Sequence, residues 1–126
     1  MAHTLIISAS GVHSELSSEI PANFCDREIV LGLLQFSGMV PSDPRYVNVH
    51  TDLTYGFYLN GVQNNMISHI TNITDGTVNI NYEPAHIKWC TSVRRNNRRA
   101  RFWFTDEDGT PLEVTDPDIT IQLSYV

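Results

Sequence analysis

Arginine and acidic side chains are the residues of this 126-residue chain whose types and spacing most suggest chemistry. Five of the eight basic residues fall in one short window, at Arg94, Arg95, Arg98, Arg99 and Arg101. A dense acidic segment follows, with Asp106, Glu107, Asp108, Glu113, Asp116 and Asp118. Such separation of sign along a chain favours contact between like subunits, in which the basic edge of one copy meets the acidic loop of the next.

We therefore predict an oligomer interface built from charged side chains. Its candidate residues are Arg94, Arg95, Arg98, Arg99, Asp106, Glu107, Asp108, Asp116 and Asp118. The alternative is a solvated loop followed by a solvated turn, because exposed charges are often without energetic consequence.

The aromatic neighbours of the arginines raise the question of nucleic acid. Trp89, Phe102 and Trp103 beside the basic window resemble in composition a surface that binds single strands. The formal charge of −6 argues against a dedicated nucleic-acid binder. In a strand, Arg101 and Trp103 share a face with Arg99, so cation–π packing of Arg101 on Trp103 is the simpler account. Nucleic acid is not an expected partner.

Catalytic and metal-binding patterns do not occur in the sequence. The histidines His3, His13, His50, His69 and His86 are scattered without ligand spacing, and no nucleophile, carboxylate pair or phosphate loop stands in a recognisable context. The run from Asp106 to Asp108 has oxygen ligands for Ca²⁺, but an acidic hairpin turn explains it more simply. We expect no enzyme activity, no metal and no cofactor.

Composition and length place the chain in the globular class. With 41% apolar and 17% charged residues, it is predicted to form one soluble domain over residues 1–126. No apolar run is long enough for a membrane helix, and residues 1–8 lack the basic region of a secretory signal. Cys25 and Cys90 have no C-x-x-C spacing, and the sequence leaves open whether they form a bridge or remain buried free thiols.

Strand periodicity is clearest near the C-terminus. Ala100, Phe102 and Phe104 alternate with polar neighbours, and residues 119–125 alternate between apolar and polar side chains. Both segments are predicted core strands. Asp108-Gly109 is predicted to turn the chain between them, and Pro111 and Pro117 are predicted to stop the strands.

The first third of the chain predicts two strands with a long connection between them. Residues 4–8 alternate as a first strand, whereas residues 12–26 suit an extended connection. Residues 28–36 are apolar on both faces, so we expect a loop or another subunit to cover the outer face. Gly38 is predicted to end this strand. With Met39 and Val40 the segment offers more apolar surface than the domain readily hides, which predicts a closed oligomer.

The middle of the chain predicts short strands joined by turns. Strands are predicted over residues 46–53, 55–59, 77–82 and 86–92, and Asn60-Gly61 is a strong hairpin signal. Residues 65–73 fit one helical turn or a bulged strand equally well. About eight short strands without a helix or an internal repeat predict an all-β, antiparallel sandwich or barrel.

Short motifs spread through the chain resemble those of capsid proteins from Maverick/Polinton elements and adintoviruses. They are Ser18-Glu-Ile-Pro-Ala-Asn-Phe24, the segment Arg27 to Phe36, Thr51-Asp-Leu53, Asn81-Tyr-Glu-Pro-Ala-His86, and Asp106-x-x-Gly109-x-Pro111-Leu112 followed by Ile-Thr-Ile-x-Leu. The resemblance implies a single jelly roll of eight strands and a penton-like minor capsid subunit.

The same resemblance implies how such a subunit works and where. It implies self-association into a homo-oligomer, a trimer or, by analogy with pentons, a pentamer, with a major capsid protein as a further partner. The expected location is the virion or an intracellular assembly site. The alternative function is a lectin-like or receptor-binding jelly roll, whose ligand surface would be Tyr55, Phe57 and Tyr58.

Overall fold

The alternating segments of the sequence become strands in the computed structural model, which describes residues 2–40, 44–54, 57–59, 62–71, 78–92 and 97–126. The strands are β1 (Ala2–Ser8), β2 (Val12–His13), β3 (Glu15–Glu19), β4 (Ile29–Val40), β5 (Tyr46–Thr51), β6 (Phe57–Leu59), β7 (Val62–Asn64), β8 (Met66–Thr71), β9 (Val78–Tyr82), β10 (Cys90–Thr91), β11 (Arg99–Thr105) and β12 (Val114–Tyr125). A single 3₁₀ turn, Ala22–Phe24, precedes β4 in the described part of the chain.

The strands form two antiparallel sheets and a separate hairpin. Sheet A has the order β1-β12-β4, with β9 and β10 both pairing with β4 and β2 pairing with β12; sheet B has the order β3-β11-β5-β8. Eight described strands have five or more residues, and they pair as nested hairpin arms: β1 with β12, β3 with β11, β4 with β9, and β5 with β8. A long hairpin rolled up in this way is a jelly roll, so the predicted fold class is confirmed.

The core lies between the two sheets, where the inward side chains of both meet. The most deeply buried hydrophobic ones, each 0% exposed, are Leu31, Phe36, Val40, Val47, Val49, Ala100, Phe102, Phe104, Val114, Ile119, Ile121 and Leu123. The strand predictions for residues 100–104 and 119–125 are confirmed, with the predicted face turned inward.

Several boundaries predicted from the sequence are wrong. The connection over residues 12–26 contains β2 and β3, which pair with β12 and β11. Pro117 does not stop a strand, because it lies inside β12 at a register shift between Thr115 and Asp118. Proline has no N–H group to donate to the ladder. At a register shift of this kind no such donor is needed, so the strand tolerates the proline. The strand predicted over residues 86–92 is reduced to β10, Cys90–Thr91.

Part of the outer face of the apolar strand β4 is covered within the same chain, while Met39 near its end remains 39% exposed. It continues past Gly38, which was predicted to end it, as far as Val40. A Cβ atom placed on Gly32 would lie 2.5 Å from Cγ2 of Ile87 and 3.1 Å from the Trp89 ring. The loop before β10 therefore packs directly on the outer face of β4. Glycine at position 32 makes this close approach possible.

The middle of the chain resolves the remaining alternatives. β6 and β7 pair with Leu59 opposite Val62, as the hairpin prediction requires, while Asn60 and Gly61 lie outside the described residues. Residues 66–71 form β8, a strand that pairs with β5 across a bulge, and not a helical turn.

Cys25 and Cys90 are both free thiols. Burial raises the pKa of the Cys90 thiol and keeps it in its unreactive protonated form.

Candidate functional site

The basic candidates lie at the beginning of β11, beside β3. Arg98 donates from Nε to the carbonyl oxygen of Ile20 at 3.1 Å, and its Nη2 lies 4.0 Å from Oε2 of Glu19. Arg99 donates from Nη2 to Oγ of Ser17 at 3.0 Å. Both arginines remain exposed to solvent despite these contacts. Arg94 and Arg95, the other two predicted interface arginines, lie outside the described residues.

Asp106 organises the acidic turn that follows β11. Its Oδ1 accepts hydrogen bonds from the backbone amides of Asp108 at 2.9 Å and Thr110 at 3.0 Å. Gly109 has a φ of +78°, a conformation that glycine adopts without strain. This geometry is that of an acidic hairpin turn, and it leaves the Asp108 side chain exposed. No group of three His, Cys, Asp or Glu side chains suited to a metal occurs in the described ranges.

Glu107 fastens the start of β5 to this turn. Its Oε2 accepts hydrogen bonds from the backbone amides of Arg45 at 2.9 Å and Tyr46 at 3.4 Å. The pKa of Glu107 is lowered from its ordinary value of 4.5, first by a hydrogen bond from its own backbone amide and then by these two amides, because each favours the charged carboxylate. The same carboxylate that was predicted to face a neighbour thus also has a partner within its own chain.

The lowered pKa of Glu107 gives a pH-dependent contribution to stability. A depressed folded-state pKa means that the contribution is complete above pH 4.5, the ordinary value, and is lost as the pH falls through the folded-state pKa. We expect Glu107→Gln to lower the thermal midpoint at neutral pH, and we expect the difference from the wild type to shrink as the pH falls through the folded-state pKa. Thermal melts across this range check the expectation, with the exposed Glu113→Gln as the matched control. A constant difference at every pH would contradict it.

Asp116 and Asp118 occupy the bulged beginning of β12. Asp116 has a φ of +51°, and it is held there by reciprocal bonds with Gly11: the Gly11 amide donates to Oδ1 and the Asp116 amide donates to the Gly11 carbonyl, each at 2.8 Å. Asp118 is half-buried, and its Oδ1 has no hydrogen-bond partner among the described residues. The two carboxylates therefore differ, since Asp116 closes a bulge and Asp118 has a buried oxygen without a donor in the described part of the chain.

The strand directions place the two charged sets at opposite ends of the sandwich. Arg98 and Arg99 lie where β11 begins, and the turn of Asp106 and Asp108 lies where β11 ends. Six strand steps of about 3.3 Å separate these ends by roughly 20 Å. Arg98 and Arg99 are therefore too far from Asp106 and Asp108 to form ion pairs with them within one chain.

The outer face of sheet B carries a cluster that the sequence analysis did not identify. The Arg101 guanidinium lies 5.5 Å from the Trp103 ring, which confirms the predicted cation–π pair, and its Nε donates to Oε1 of Glu15 at 2.6 Å. The Trp103 ring stacks on His50, which is 6% exposed and whose Nε2 lies 2.6 Å from Oγ1 of Thr105. Arg101 and Trp103 are two residues apart in one strand and could be paired from the sequence, but only the pairing of β11 with β3 and β5 brings Glu15 and His50 to them.

The predicted ligand surface lies at the β6–β7 hairpin. Phe57 and Tyr58 belong to β6, and Tyr55 lies outside the described residues. The ligand surface thus remains a prediction from the sequence. Within the described ranges, no helix has the length and apolar character that crossing a bilayer requires.

These observations define the class of the protein as an antiparallel jelly-roll sandwich with charged ends. No protein-family model and no curated protein matches the sequence. Among solved structures, the chain is similar to the penton protein of mavirus, with a TM-score of 0.53 and 13% identity over 67% of this chain and 35% of that one. The chain therefore spans about a third of that protein's length. At this identity, the similarity shows the shared fold alone.

A second similar structure comes from infectious bursal disease virus, strain Gx. Its TM-score is 0.40 and its identity is 10%, over 97% of this chain and 32% of that one. A TM-score at this level carries no argument about this chain.

Proposed function

We propose that this chain is a structural subunit that self-associates into a closed ring and serves as a penton-like minor capsid component. The observation that carries the proposal is the placement of the exposed arginines and the acidic turn at opposite ends of β11. A surface that is basic at one end and acidic at the other pairs head to tail with copies of itself. Head-to-tail contacts generate a ring when the rotation between copies closes.

The fold supports the proposal. The jelly roll is shared with the mavirus penton protein, and the sequence motifs resemble those of Maverick/Polinton and adintovirus capsid proteins. A major capsid protein is the proposed further partner, and the virion or its assembly site is the proposed location. The apolar strand β4 does not contribute to this argument, because Ile87 and Trp89 already pack over Gly32.

The first test is the mass of the chain in solution. We expect light scattering at tens of micromolar protein to return a defined multiple of the chain mass, a trimer or a pentamer. A single-chain mass would contradict the proposal, and a glycan-array signal from such a monomer would favour the lectin-like alternative.

Charge reversal tests the ring contact itself. Arg98→Glu combined with Arg99→Glu would make the basic end acidic, so that it repels the acidic turn of the next copy. We expect the dissociation constant of the ring to rise about tenfold or more. The effect should shrink as salt rises, because exposed charges are screened beyond a Debye length of about 8–10 Å.

A compensating variant controls for damage to the fold. Adding Asp108→Arg restores opposite charges and is expected to recover much of the assembly, since the Asp108 side chain is exposed. Arg98 also donates to the carbonyl of Ile20 within its own chain, so its replacement removes an intrachain hydrogen bond. Circular dichroism therefore checks that each variant keeps an intact fold. If the Arg98→Glu, Arg99→Glu variant assembles like the wild type at low and high salt, the arginine cluster is a solvated loop and not a contact between copies.

A further inference from the structure

The outer edge of β1 has the properties of a docking site for another strand. β1 pairs with β12 through seven consecutive residue pairs without a bulge, and no strand flanks its other edge in the described part of the chain. Beyond β1, the Ala9 amide donates to the Pro117 carbonyl at 3.1 Å in the same register. Hydrogen-bonding direction alternates along a strand. The amides and carbonyls of Thr4, Ile6 and Ser8 therefore point away from β12, toward the open edge.

The other edge strands carry protection that β1 lacks. Charges, bulges and short length are the usual devices that keep sheet edges from pairing with other chains. β3 carries Glu15 and Glu19, β8 pairs across a bulge, and β9 is only five residues long. β1 has seven residues, no bulge, and no Lys, Arg, Asp, Glu or Pro. The side chain of Ile6 in this strand is 66% exposed.

We propose that the open edge of β1 pairs antiparallel with β1 of a second copy across a twofold axis, so that two copies of sheet A become one continuous sheet. The register that centres on Ile6 opposes Leu5 to Ile7 and Thr4 to Ser8. Apolar side chains then face apolar ones, and hydroxyls face hydroxyls. The outward backbone groups of the two strands would form about six hydrogen bonds.

The charges of the edges favour a second copy at β1 and oppose one at β3. When two copies of one strand pair antiparallel across a twofold axis, residues at equal distances on either side of the axis lie opposite one another. At β3, the register centred on Ser17 would bring Glu15 opposite Glu19 of the second copy, which costs free energy because like charges repel across strands, and Arg101 and Arg98 of the same chain offset only part of that cost. At β1 no such repulsion exists, since the strand has no Asp, Glu, Lys or Arg.

This contact goes beyond the proposed ring and stands independently of it. The ring is built from head-to-tail contacts between different surfaces, whereas the β1 pair uses the same surface on both copies.

Proline substitution separates the outer edge of β1 from its inner edge. Thr4→Pro removes an amide that points outward, and proline is tolerated on the open side of an edge strand. We expect this variant to keep the thermal midpoint of the isolated subunit and to lose the twofold contact, so that the mass measured by light scattering falls at least twofold. Leu5→Pro is the control: its amide points toward β12, so the variant should instead melt at a lower temperature.

Cross-linking tests the register. Ile6→Cys places two thiols directly opposite each other across the axis, at a Cα separation of about 5.5 Å that suits a disulfide. Ser8→Cys places each thiol opposite Thr4 of the partner subunit and should not cross-link. We expect oxidation to give covalent dimers of Ile6→Cys only, and a failure of this variant to cross-link would overturn the proposal.

The outcomes for the ring and for the β1 pair are distinguishable. An assembly whose mass is unchanged by Thr4→Pro would overturn the β1 contact and leave the ring intact. A wild-type chain of single-chain mass would overturn both. A covalent dimer of Ile6→Cys together with a ring insensitive to charge reversal would support the β1 contact alone.

Discussion

Deletion of residues 119–126 is expected to leave the chain without a cooperative unfolding transition. These residues form most of β12, which lies between β1 and β4 in the centre of sheet A. Ile119, Ile121 and Leu123 are each fully buried. A large core side chain typically contributes about 2–5 kcal/mol, against a total stability of about 5–15 kcal/mol. The loss of three of them, together with both neighbouring ladders, exceeds what the fold can withstand.

Urea denaturation followed by circular dichroism measures this effect. Deletion of Val126 alone is the control, because that side chain is 76% exposed and follows the end of β12. Within the strand, Ile121→Ala should cost on the order of 3 kcal/mol, and Gln122→Ala, which is half-buried on the opposite face, less than about 1 kcal/mol. Similar midpoints for the two single variants would mean that the inward face of β12 had been wrongly assigned.

The strands that the sequence predicted well are those whose burial is one-sided and regular. In β11 and β12 every second side chain enters the core, so the two-residue period is visible without knowledge of the partner strands. β3 was missed because only Leu16 of its five residues is fully buried, and one apolar residue makes no period. Its place in the fold depends on pairing with β11, which is distant in sequence.

The misplaced end at Pro117 has a different cause. Proline is usually excluded from the middle of a sheet. Here a local irregularity in the strand accommodates it, and no composition rule indicates that irregularity. The positive φ of Asp116 and its reciprocal bonds with Gly11 shift the register just before the proline. The partner, Gly11, lies more than a hundred residues away in the chain, beyond the reach of a local pattern.

The candidate surfaces show the same division between local and distant information. The charge blocks were visible in the sequence because each is contiguous. Their separation to opposite ends of β11 follows from that strand alone. By contrast, the intrachain partners of those charges, such as Glu19 for Arg98 and the Arg45 amide for Glu107, depend on which strands and loops meet in space. Composition could therefore identify the charged surface but not the part of it already satisfied within the chain.

Phe104→Ala is expected to lower the free energy of unfolding by about 3–5 kcal/mol, because it opens a cavity at the centre of the core. The Phe104 and Phe36 rings pack with their centroids 5.5 Å apart at an interplanar angle of 56°, and both side chains are fully buried. This pair joins β11 of sheet B to β4 of sheet A, so the substitution weakens the contact between the sheets and not one ladder. Phe104→Leu keeps most of the volume and should cost less than about 2 kcal/mol. Urea midpoints measured at several protein concentrations separate this loss from any change in assembly. Equal losses for the alanine and leucine variants would show that the ring contact with Phe36, and not the cavity, dominates the energetics of the core.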